Sequence, residues 1–275
     1  MRIVVLLGVF AVWGCSAVGG GAGRPAAPAD GRFPIRVVSY NIHAGKDAAG
    51  QPNLERVAAL LDSLRADVVL LQEVDRGTTR SGGVDQLAEL ERLTGFNGAF
   101  GRSLDFQGGE YGIALLSRWP IEDVTVVPLA VTPPQERSGG SHEPRVALHG
   151  VIATPAGALH VVNTHLDPSG QGTWRRQELV ALMAHLRRRV PRDARLLIGG
   201  DLNSRPESDE VAALGLALTD AWAACGAGDG GTFPASAPDR RIDYLFFRSG
   251  YCAGARVLPY LASDHRPLFL TLELP

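Results

Sequence analysis

Short apolar segments rich in β-branched residues recur along most of the chain, and this pattern constrains the fold more than any other feature. Several of these segments are apolar on both faces, which indicates burial on both sides. Segments with a helical period are fewer, so we expect two packed sheets with helices on their outer faces. The nine predicted strands are 35–41, 67–73, 111–117, 124–129, 145–153, 158–165, 195–200, 241–247 and 267–274.

Two segments have the apolar spacing of an amphipathic helix. The first begins near the N-cap candidate Asn53 and has apolar residues at Leu54, Val57, Ala58, Leu61 and Leu64. The second has apolar residues at Leu179, Leu182, Met183, Leu186 and Val190. Arginines 187–189 follow near its end, where cations are favoured, and we interpret them as a solvated helix terminus.

The N-terminus is interpreted as an export signal. Arg2 precedes an apolar run, 3–13, that is too short to cross a bilayer as a mature helix. The run ends in "VWGCS", which resembles the lipobox of bacterial lipoproteins, so we expect a lipoprotein-type signal peptide over 1–14 and lipidation of Cys15. An ordinary secretory peptide cut nearby is the alternative. In either case we expect an exported protein of the bacterial cell envelope, lipid-anchored on the periplasmic side or free in the periplasm.

A segment of glycine, alanine and proline, 15–32, separates this signal from the rest of the chain and predicts a flexible tether. The catalytic domain is then expected over 33–275. Lipidation of Cys15 would leave Cys225 and Cys252. Two cysteines in an oxidising compartment are compatible with a disulfide, but two unpaired buried thiols are equally compatible with the sequence.

Charges nearly cancel, since 27 basic and 29 acidic residues give a net charge of −2. This balance does not indicate the broad basic face that non-specific duplex binding usually needs, although it is compatible with a local basic groove. The zinc-ligand spacings HExxH and CxxC are absent from the sequence, as are a Walker loop, a dinucleotide GxGxxG after the first strand and a GxSxG elbow.

Polar side chains collect where the apolar segments end. Hard divalent ions such as Mg²⁺ take oxygen ligands and keep several waters, so one or two carboxylates with an amide suffice when a substrate phosphate completes the shell. Residue alternation places Asn163 and His165 on one face of their strand. The residues at these ends are Asn41, Glu73, Asn163, His165, Asp201, Asn203, Asp264 and His265.

Seven motifs occur in a fixed order: "SYNIH", "LLQEVD", "YGIALLSR", "NTHLD", "GGDLNS", "RIDYLF" and "SDHRP". In these motifs residues 33–275 resemble the endonuclease/exonuclease/phosphatase superfamily, which includes deoxyribonuclease I, abasic-site endonucleases, neutral sphingomyelinases and inositol polyphosphate 5-phosphatases. The resemblance implies an α+β fold, a four-layered αββα sandwich of two mostly antiparallel sheets flanked by helices. It also implies hydrolysis of phosphate esters with Mg²⁺, for which Mn²⁺ is a substitute.

The resemblance further implies roles for individual residues. The metal would be held by Asn41 and Glu73, with Asp264 near or at the same centre. Asp201 would orient or deprotonate the attacking water, and Asn203 would bind a phosphate oxygen. Asp243 would partner His265, which acts as a base or as a stabilising cation. His165 would protonate the departing oxygen, supported by Glu110.

Four residues are candidate substrate contacts: Arg145, Asn163, Tyr111 and Arg80. For Arg145 a salt-bridged strand arginine is an equal alternative, and the loop 75–86 that carries Arg80 either contacts substrate or caps the next helix. His43 either lines the pocket or makes a structural hydrogen bond. The remaining histidines considered, at 149, 160 and 185, are interpreted as packed or surface residues.

Together these features predict a Mg²⁺-dependent phosphoesterase that hydrolyses a phosphodiester or phosphomonoester by in-line attack of an activated water. We expect a small phosphorylated metabolite or a lipid headgroup as substrate. A secreted nuclease is the first alternative, and a non-catalytic protein that binds phosphorylated ligands on the same scaffold is the second. The expected partners are the phosphate-ester substrate and, through Cys15, a membrane, and no protein partner is implied.

Overall fold

A computed structural model describes residues 31–132, 143–170 and 172–275 of the chain. The predicted signal peptide over 1–14, Cys15 and nearly all of the predicted tether over 15–32 lie outside the described residues. None of the helices in the described ranges has the length and apolar character needed to span a membrane.

Two six-stranded sheets form the centre of the structure. The strands in the described part of the chain are β1 (Phe33–Asn41), β2 (Val68–Arg76), β3 (Asn97–Phe106), β4 (Gly109–Ser117), β5 (Ile121–Pro128), β6 (Val146–Thr154), β7 (Gly157–His165), β8 (Leu196–Asp201), β9 (Thr219–Asp220), β10 (Asp243–Arg248), β11 (Tyr251–Val257) and β12 (Leu268–Leu274). The first sheet has the order β11-β12-β1-β2-β4-β3, and the second has the order β5-β6-β7-β8-β10-β9.

Each sheet contains one parallel pair, β1 with β2 and β7 with β8, and all other neighbours are antiparallel. A parallel connection needs a crossover, and each crossover here contains a predicted helix. The helices in the described residues are α1 (Leu54–Ser63), α2 (Gln86–Thr94), α3 (Thr173–Arg189), α4 (Asp209–Gly215) and α5 (Ala221–Cys225), with short 3-10 turns at His43–Gly45 and Thr79–Ser81.

Three apolar layers hold these elements together. The layer between the sheets includes Leu70, Leu115 and Leu245, and truncating a buried core leucine to alanine typically costs about 2–5 kcal/mol. A second layer packs α1 and α2 on the first sheet, and a third packs α3 and α4 on the second sheet. The predicted four-layered αββα sandwich of two mostly antiparallel sheets is therefore confirmed.

All nine predicted strands are present, whereas three edge strands, β3, β9 and β11, were not predicted. Edge strands have partly exposed positions and so lack the continuous apolar run that marks the central strands. The turn at Gln107 and Gly108 was an available signal for β3, because both residues have positive φ, as hairpin turns require.

Asn53 occupies the N-cap position of α1, but its side chain does not cap the helix, so the predicted capping role is wrong. Its Nδ2 instead donates to the carbonyl oxygens of Ile42, at 2.9 Å, and Ala262, at 2.6 Å. These bonds connect the end of β1 to the loop before β12. Asn53 therefore stabilises the edge of the sandwich at which the polar strand ends meet.

Two further contacts fix local geometry. A disulfide connects Cys225 at the end of α5 to Cys252 on β11, with the Cα atoms 5.9 Å apart, so of the two alternatives the structure has the bonded one. A Cβ atom on Gly200, whose φ is +131°, would collide with the carbonyl oxygen of Thr164. Glycine at 200 therefore lets β7 and β8 approach each other, and backbone fills the space it leaves.

Candidate active site

Asn41 connects the site residues of the first sheet to those of the second sheet. It lies fully buried at the end of β1, where its Nδ2 donates to Oε1 of Glu73 at 3.1 Å and to Oδ2 of Asp201 at 3.2 Å. Its Oδ1 accepts the backbone N–H of His43 at 3.0 Å. The bonds from Nδ2 orient the two carboxylates. Asn41 was expected to ligate the metal, and its Oδ1, which accepts one hydrogen bond, retains a second lone pair for that role.

Asp201 lies at the end of β8 between two imidazoles. Its Oδ2 is 3.5 Å from Nε2 of His165 and 3.6 Å from Nε2 of His265. Oδ1 accepts the backbone N–H of Asn203 at 2.9 Å. Burial, and next the Asp243 carboxylate, raise the pKa of Asp201 to about 7. A carboxylate with a pKa in that range is suited to accept a proton at neutral pH.

The structure brings the predicted pair His265 and Asp243 together. Nδ1 of His265 lies 2.9 Å from Oδ2 of Asp243, and both side chains are buried. Burial by itself lowers the pKa of His265, but the carboxylates of Asp243 and Asp201 outweigh it and raise that pKa to about 10. His265 is therefore an imidazolium at neutral pH. The ring of Phe233 packs against it with centroids 4.8 Å apart.

His165 has the opposite charge state. Burial, followed by the cations of Arg145 and His265, holds the pKa of His165 well below its usual value, so the ring is neutral at pH 7. Glu110 does not support it, which corrects the expectation. Glu110 pairs with Arg76 at 3.2 Å, because alternation along β4 turns Tyr111 toward the cleft and Glu110 away from it.

A cleft of about 590 Å³ lies beside these residues. The predicted site residues that line it are Glu73, Arg80, Tyr111, Arg145, His165, Asp201, Asn203, Asp264 and His265. Sequence reasoning missed several others, including Leu104, Phe106, Glu143, Phe233 and Arg240. Two of these come from the unpredicted strand β3, and two from the loop before β10, which has no regular period.

Two cleft-lining acids fit a hard divalent cation. Glu73 has one oxygen bonded to Asn41, and Asp264, with 29% of its side chain exposed, has one oxygen bonded to Ser263 at 3.2 Å. The second oxygen of each carboxylate accepts no hydrogen bond among the described residues. Such a carboxylate pair matches the preference of Mg²⁺ for oxygen ligands with several waters retained.

A second possible cluster consists of Asp201, Asp243 and His265, whose potential ligand atoms lie within 4.8 Å of one another. Nδ1 of His265 bonds to Oδ2 of Asp243 and its Nε2 faces Asp201, whereas Oδ1 of Asp243 has no hydrogen-bond partner among the described residues. Both imidazole nitrogens are thus engaged with carboxylates, so we favour the cleft-lining Glu73 and Asp264 as the ligands.

Asn163 was expected to contact substrate, and the structure contradicts this. Its side chain is fully buried between the sheets, where Nδ2 donates to the carbonyl oxygens of Leu71, at 2.7 Å, and Ala114, at 2.9 Å. Asn203 does line the cleft. Its Nδ2 donates to the carbonyl of Leu166 at 2.9 Å, and the amide has a second N–H that can reach a phosphate oxygen.

Arg80 and Arg145 form a cationic wall of the cleft. Arg80 donates from Nε and Nη2 to the buried Asp75, at 2.7 and 2.8 Å, and its guanidinium stacks over the rings of Phe106 and Tyr111. Arg145 is 4% exposed and lies 3.2 Å from Glu143. Its buried Nε has no hydrogen-bond partner among the described residues.

The other histidines lie apart from this chemistry. His149 is hydrogen-bonded to His185 at 2.9 Å and to His160 at 3.0 Å, which places the three rings together on the outer face of the second sheet. They are packed residues, as interpreted from the sequence. His43 is 42% exposed, with Nε2 3.9 Å from Oδ2 of Asp264, and its backbone makes the structural bond to Asn41.

Comparison with known proteins identifies the family and the fold. The sequence model of the endonuclease/exonuclease/phosphatase family matches residues 38–265. The chain is 26% identical over 260 residues to YbhP of Escherichia coli K12, covering 88% of this chain and 98% of that protein. An endonuclease/exonuclease/phosphatase structure from Beutenbergia cavernae is similar with a TM-score of 0.73 at 24% identity, over 88% of this chain and 72% of that one.

A mannosyl-6-phosphatase from Bacteroides thetaiotaomicron also has a similar structure. Its TM-score is 0.71 at 19% identity, and the match covers 86% of this chain and 99% of that one. At these identities the two solved structures show a shared fold.

Proposed function

The chain belongs to the endonuclease/exonuclease/phosphatase family, and on that premise we propose that it is a divalent-metal-dependent phosphoesterase that hydrolyses its substrate by in-line attack of water. One observation carries the proposal. A single carboxylate oxygen, Oδ2 of Asp201, lies within 3.6 Å of both a neutral and a cationic imidazole and is tied through Asn41 to Glu73. Such an arrangement combines proton acceptance, charge stabilisation and metal binding in one cleft.

Each of these residues then has a distinct role in hydrolysis. Asp201 orients the attacking water and accepts its proton. The His265 imidazolium and the free N–H of Asn203 stabilise negative charge on the phosphoryl oxygens. His165, whose neutral ring lies 3.5 Å from Asp201, donates a hydrogen bond to the departing oxygen, which takes up a proton from solvent. Glu73 and Asp264 would hold a divalent cation, which when bound polarises the phosphate and neutralises its charge.

The cleft supports a small phosphorylated metabolite as the substrate. Its volume of about 590 Å³ falls within the range of small-molecule pockets. Arg80 and Arg145 supply positive charge, while Phe106, Tyr111 and Phe233 supply flat apolar surface. The fold shared with a mannosyl-6-phosphatase is compatible with this substrate class. Lipid headgroups and nucleic acids present the same phosphate chemistry, and the test below separates them.

The test is turnover of a phosphoester panel by the purified protein with Mg²⁺ or Mn²⁺. The panel comprises p-nitrophenyl phosphate, bis-p-nitrophenyl phosphate, sugar phosphates, phospholipid vesicles and plasmid DNA. We expect EDTA-sensitive turnover that is highest on a small phosphate ester and is abolished in Asp201→Ala and His265→Ala. Preferred cleavage of DNA would instead identify a nuclease. Phosphate-ester binding without turnover on any substrate would identify a non-catalytic binding protein and refute the proposal.

We also propose that the protein acts outside the cytoplasm, tethered through Cys15. The signal-like segment supports this, and so does the disulfide between Cys225 and Cys252, since disulfides persist in oxidising compartments. Fractionation of cells expressing the wild type and Cys15→Ser tests it. The wild type is expected in the membrane fraction and the variant in the soluble periplasmic or precursor pool. Equal distribution of the two proteins would refute lipid anchoring.

A further inference from the structure

The strand β2 contains an irregularity at the residue that faces the proposed metal. Leu71 pairs with Ala114 of β4, and the register resumes at Val74 with Gly112. Two residues of β2, Gln72 and Glu73, therefore oppose one residue of β4, which defines a β-bulge. Glu73 has φ +57°, in the left-handed region that residues other than glycine rarely adopt. A conformation of this kind persists only where the surroundings hold it.

Asn163 of β7 supplies contacts that hold it. The two carbonyl oxygens that its Nδ2 binds belong to Leu71 and Ala114, the last residue pair before the bulge. Gln72, inside the bulge, donates from Nε2 to Oδ1 of Asn163 at 2.7 Å. All of these residues are fully buried. The Asn163 side chain of the second sheet is thus hydrogen-bonded to β2 and β4 next to the bulge and to Gln72 inside it.

The position of Asn163 along β7 connects this contact to the site. Asn163 lies two residues before His165, so it belongs to the strand that carries one half of the site and binds the strand that carries Glu73 of the other half. A buried carbonyl that loses its donor is costly to leave unpaired. Loss of the Asn163 amide would therefore favour relaxation of the bulge, with a change in the direction of the Glu73 carboxylate.

We propose that Asn163, assisted by Gln72, is a positioning residue that fixes the bulge of β2 and thereby the place of the Glu73 carboxylate relative to Asp201. The part of this inference that concerns metal affinity rests on the proposed function. The part that concerns the bulge does not, because it depends only on contacts within the chain.

The experiment compares Asn163→Leu, which keeps the side-chain size but removes both donors, with the milder Gln72→Met. Thr154→Val is the matched control, since it removes a partly buried hydrogen bond from the Thr154 hydroxyl to the Gly157 carbonyl at the far end of the same β6–β7 hairpin. For each variant two quantities are measured: Mg²⁺ affinity by calorimetry, with Mn²⁺ binding by electron paramagnetic resonance, and amide hydrogen exchange of residues 71–75.

We expect Asn163→Leu to weaken metal binding by about 10-fold or more, the effect typical of losing a partner that orients a ligand. Exchange at 71–75 should accelerate by a similar factor, with smaller changes in Gln72→Met and none in Thr154→Val. The proposal is overturned if exchange at 71–75 is unchanged in folded Asn163→Leu. If Asn163→Leu does not fold, unchanged exchange in Gln72→Met overturns it equally.

The two proposals fail in different ways. A wild-type protein that binds neither Mg²⁺ nor Mn²⁺ contradicts the proposed function, while the exchange measurement still decides whether Asn163 holds the bulge. Normal metal affinity in Asn163→Leu with accelerated exchange would overturn the link between the bulge and the Glu73 carboxylate.

Discussion

Nδ1 of His265 lies 2.9 Å from Oδ2 of Asp243 in a site where both side chains are buried. This contact makes His265 a cation, because it is the larger of the two carboxylate effects that raise the pKa of the ring to about 10 against the effect of burial. The proposed charge stabilisation of a phosphoryl group therefore depends on Asp243 as well as on the histidine.

Asp243→Asn should lower kcat/KM by about 10²-fold or more, since the ring loses the anion that keeps it protonated and oriented. Titration of His265 by NMR should show a lowered pKa in the variant. Asp105→Asn, which removes an exposed acid paired with Arg102, is the control and should leave both quantities unchanged. Unaltered turnover in Asp243→Asn would show that the mechanism does not require His265 as a cation.

Asp201→Asn should lower kcat by about 10²- to 10⁴-fold, the usual contribution of a proton acceptor, while the fold is retained. In the wild type, burial raises the pKa of Asp201 to about 7 and the acid must be ionised to accept a proton. Activity should accordingly fall as the pH decreases through about 7. A pH–rate profile at saturating Mg²⁺ checks this, and a flat profile between pH 6 and 8 would contradict the role of Asp201 as a base.

Glu73→Gln and Asp264→Asn should each weaken Mg²⁺ binding by at least about 10-fold, because a neutral amide replaces a charged oxygen ligand. Calorimetry on the folded variants measures the change. Asp62→Asn on α1, far from the cleft, provides a charge-matched control with expected wild-type affinity. If both cleft variants bind Mg²⁺ as the wild type does, the ion is held elsewhere, and the buried Asp201, Asp243 and His265 cluster becomes the next candidate.

Arg145→Met should raise KM by roughly 10- to 100-fold, with a smaller effect on kcat, since hydrogen bonds to charged groups contribute about 1.5–3 kcal/mol. The reason is that the Arg145 guanidinium lines a cleft suited to phosphate, and its buried Nε has no hydrogen-bond partner within the described residues. Arg145→Lys keeps the positive charge but lacks the paired N–H donors of the guanidinium, so it should recover substrate affinity only in part. An unchanged KM in both variants would restrict Arg145 to its ion pair with Glu143.

The histidine cluster on the outer face of the second sheet predicts that the protein becomes less stable as the pH falls below 6.5. Burial lowers the pKa of His149 from 6.5 to about 4, with further lowering by His160, His185 and Arg189 and partial compensation by Asp123. Above pH 6.5 the ring is neutral in both the folded and the unfolded state. As the pH falls from 6.5 toward 4, the unfolded state binds the proton more readily, so the free energy of unfolding decreases.

His149→Gln should flatten this dependence, because the substituted side chain does not titrate. The variant is expected to be less stable than the wild type near pH 7.5, where it lacks the two ring contacts, and the difference should shrink toward pH 4.5. Thermal unfolding across that range measures both proteins. Parallel pH profiles for the two proteins would show that His149 does not cause this loss of stability.

Much of the architecture follows from local sequence pattern. Central strands such as β2 and β8 are buried on both sides and so have unbroken apolar runs, at 68–71 and 196–198, and α1 and α3 each present an apolar stripe. Because functional side chains lie at the ends of these elements, the positions of Glu73, Asp201 and His265 could be predicted from the order of the motifs. The pairing of Asp243 with His265 was implied by the resemblance of these motifs to the family, and the structure brings the two side chains together.

Other features depend on contacts between distant segments. Asn41 and Asp201 are 160 residues apart, and Gln72 and Asn163 are 91 residues apart. Alternation predicts which face of its own strand a side chain occupies, but not what lies opposite that face. For this reason Asn163 was predicted in the cleft although the first sheet covers it, and Glu110 was predicted beside a histidine although it pairs with Arg76.

The sequence by itself therefore determined the central strands, the amphipathic helices α1 and α3, the layered fold and the chemical character of the residues at the strand ends. Tertiary structure alone decided the direction of each amide and carboxylate, the cleft formed with the edge strand β3, the disulfide and the bulge at Glu73. The physical reason is that periodicity is encoded within a few neighbouring residues, whereas charge state and hydrogen-bond partners are set by packing two sheets face to face.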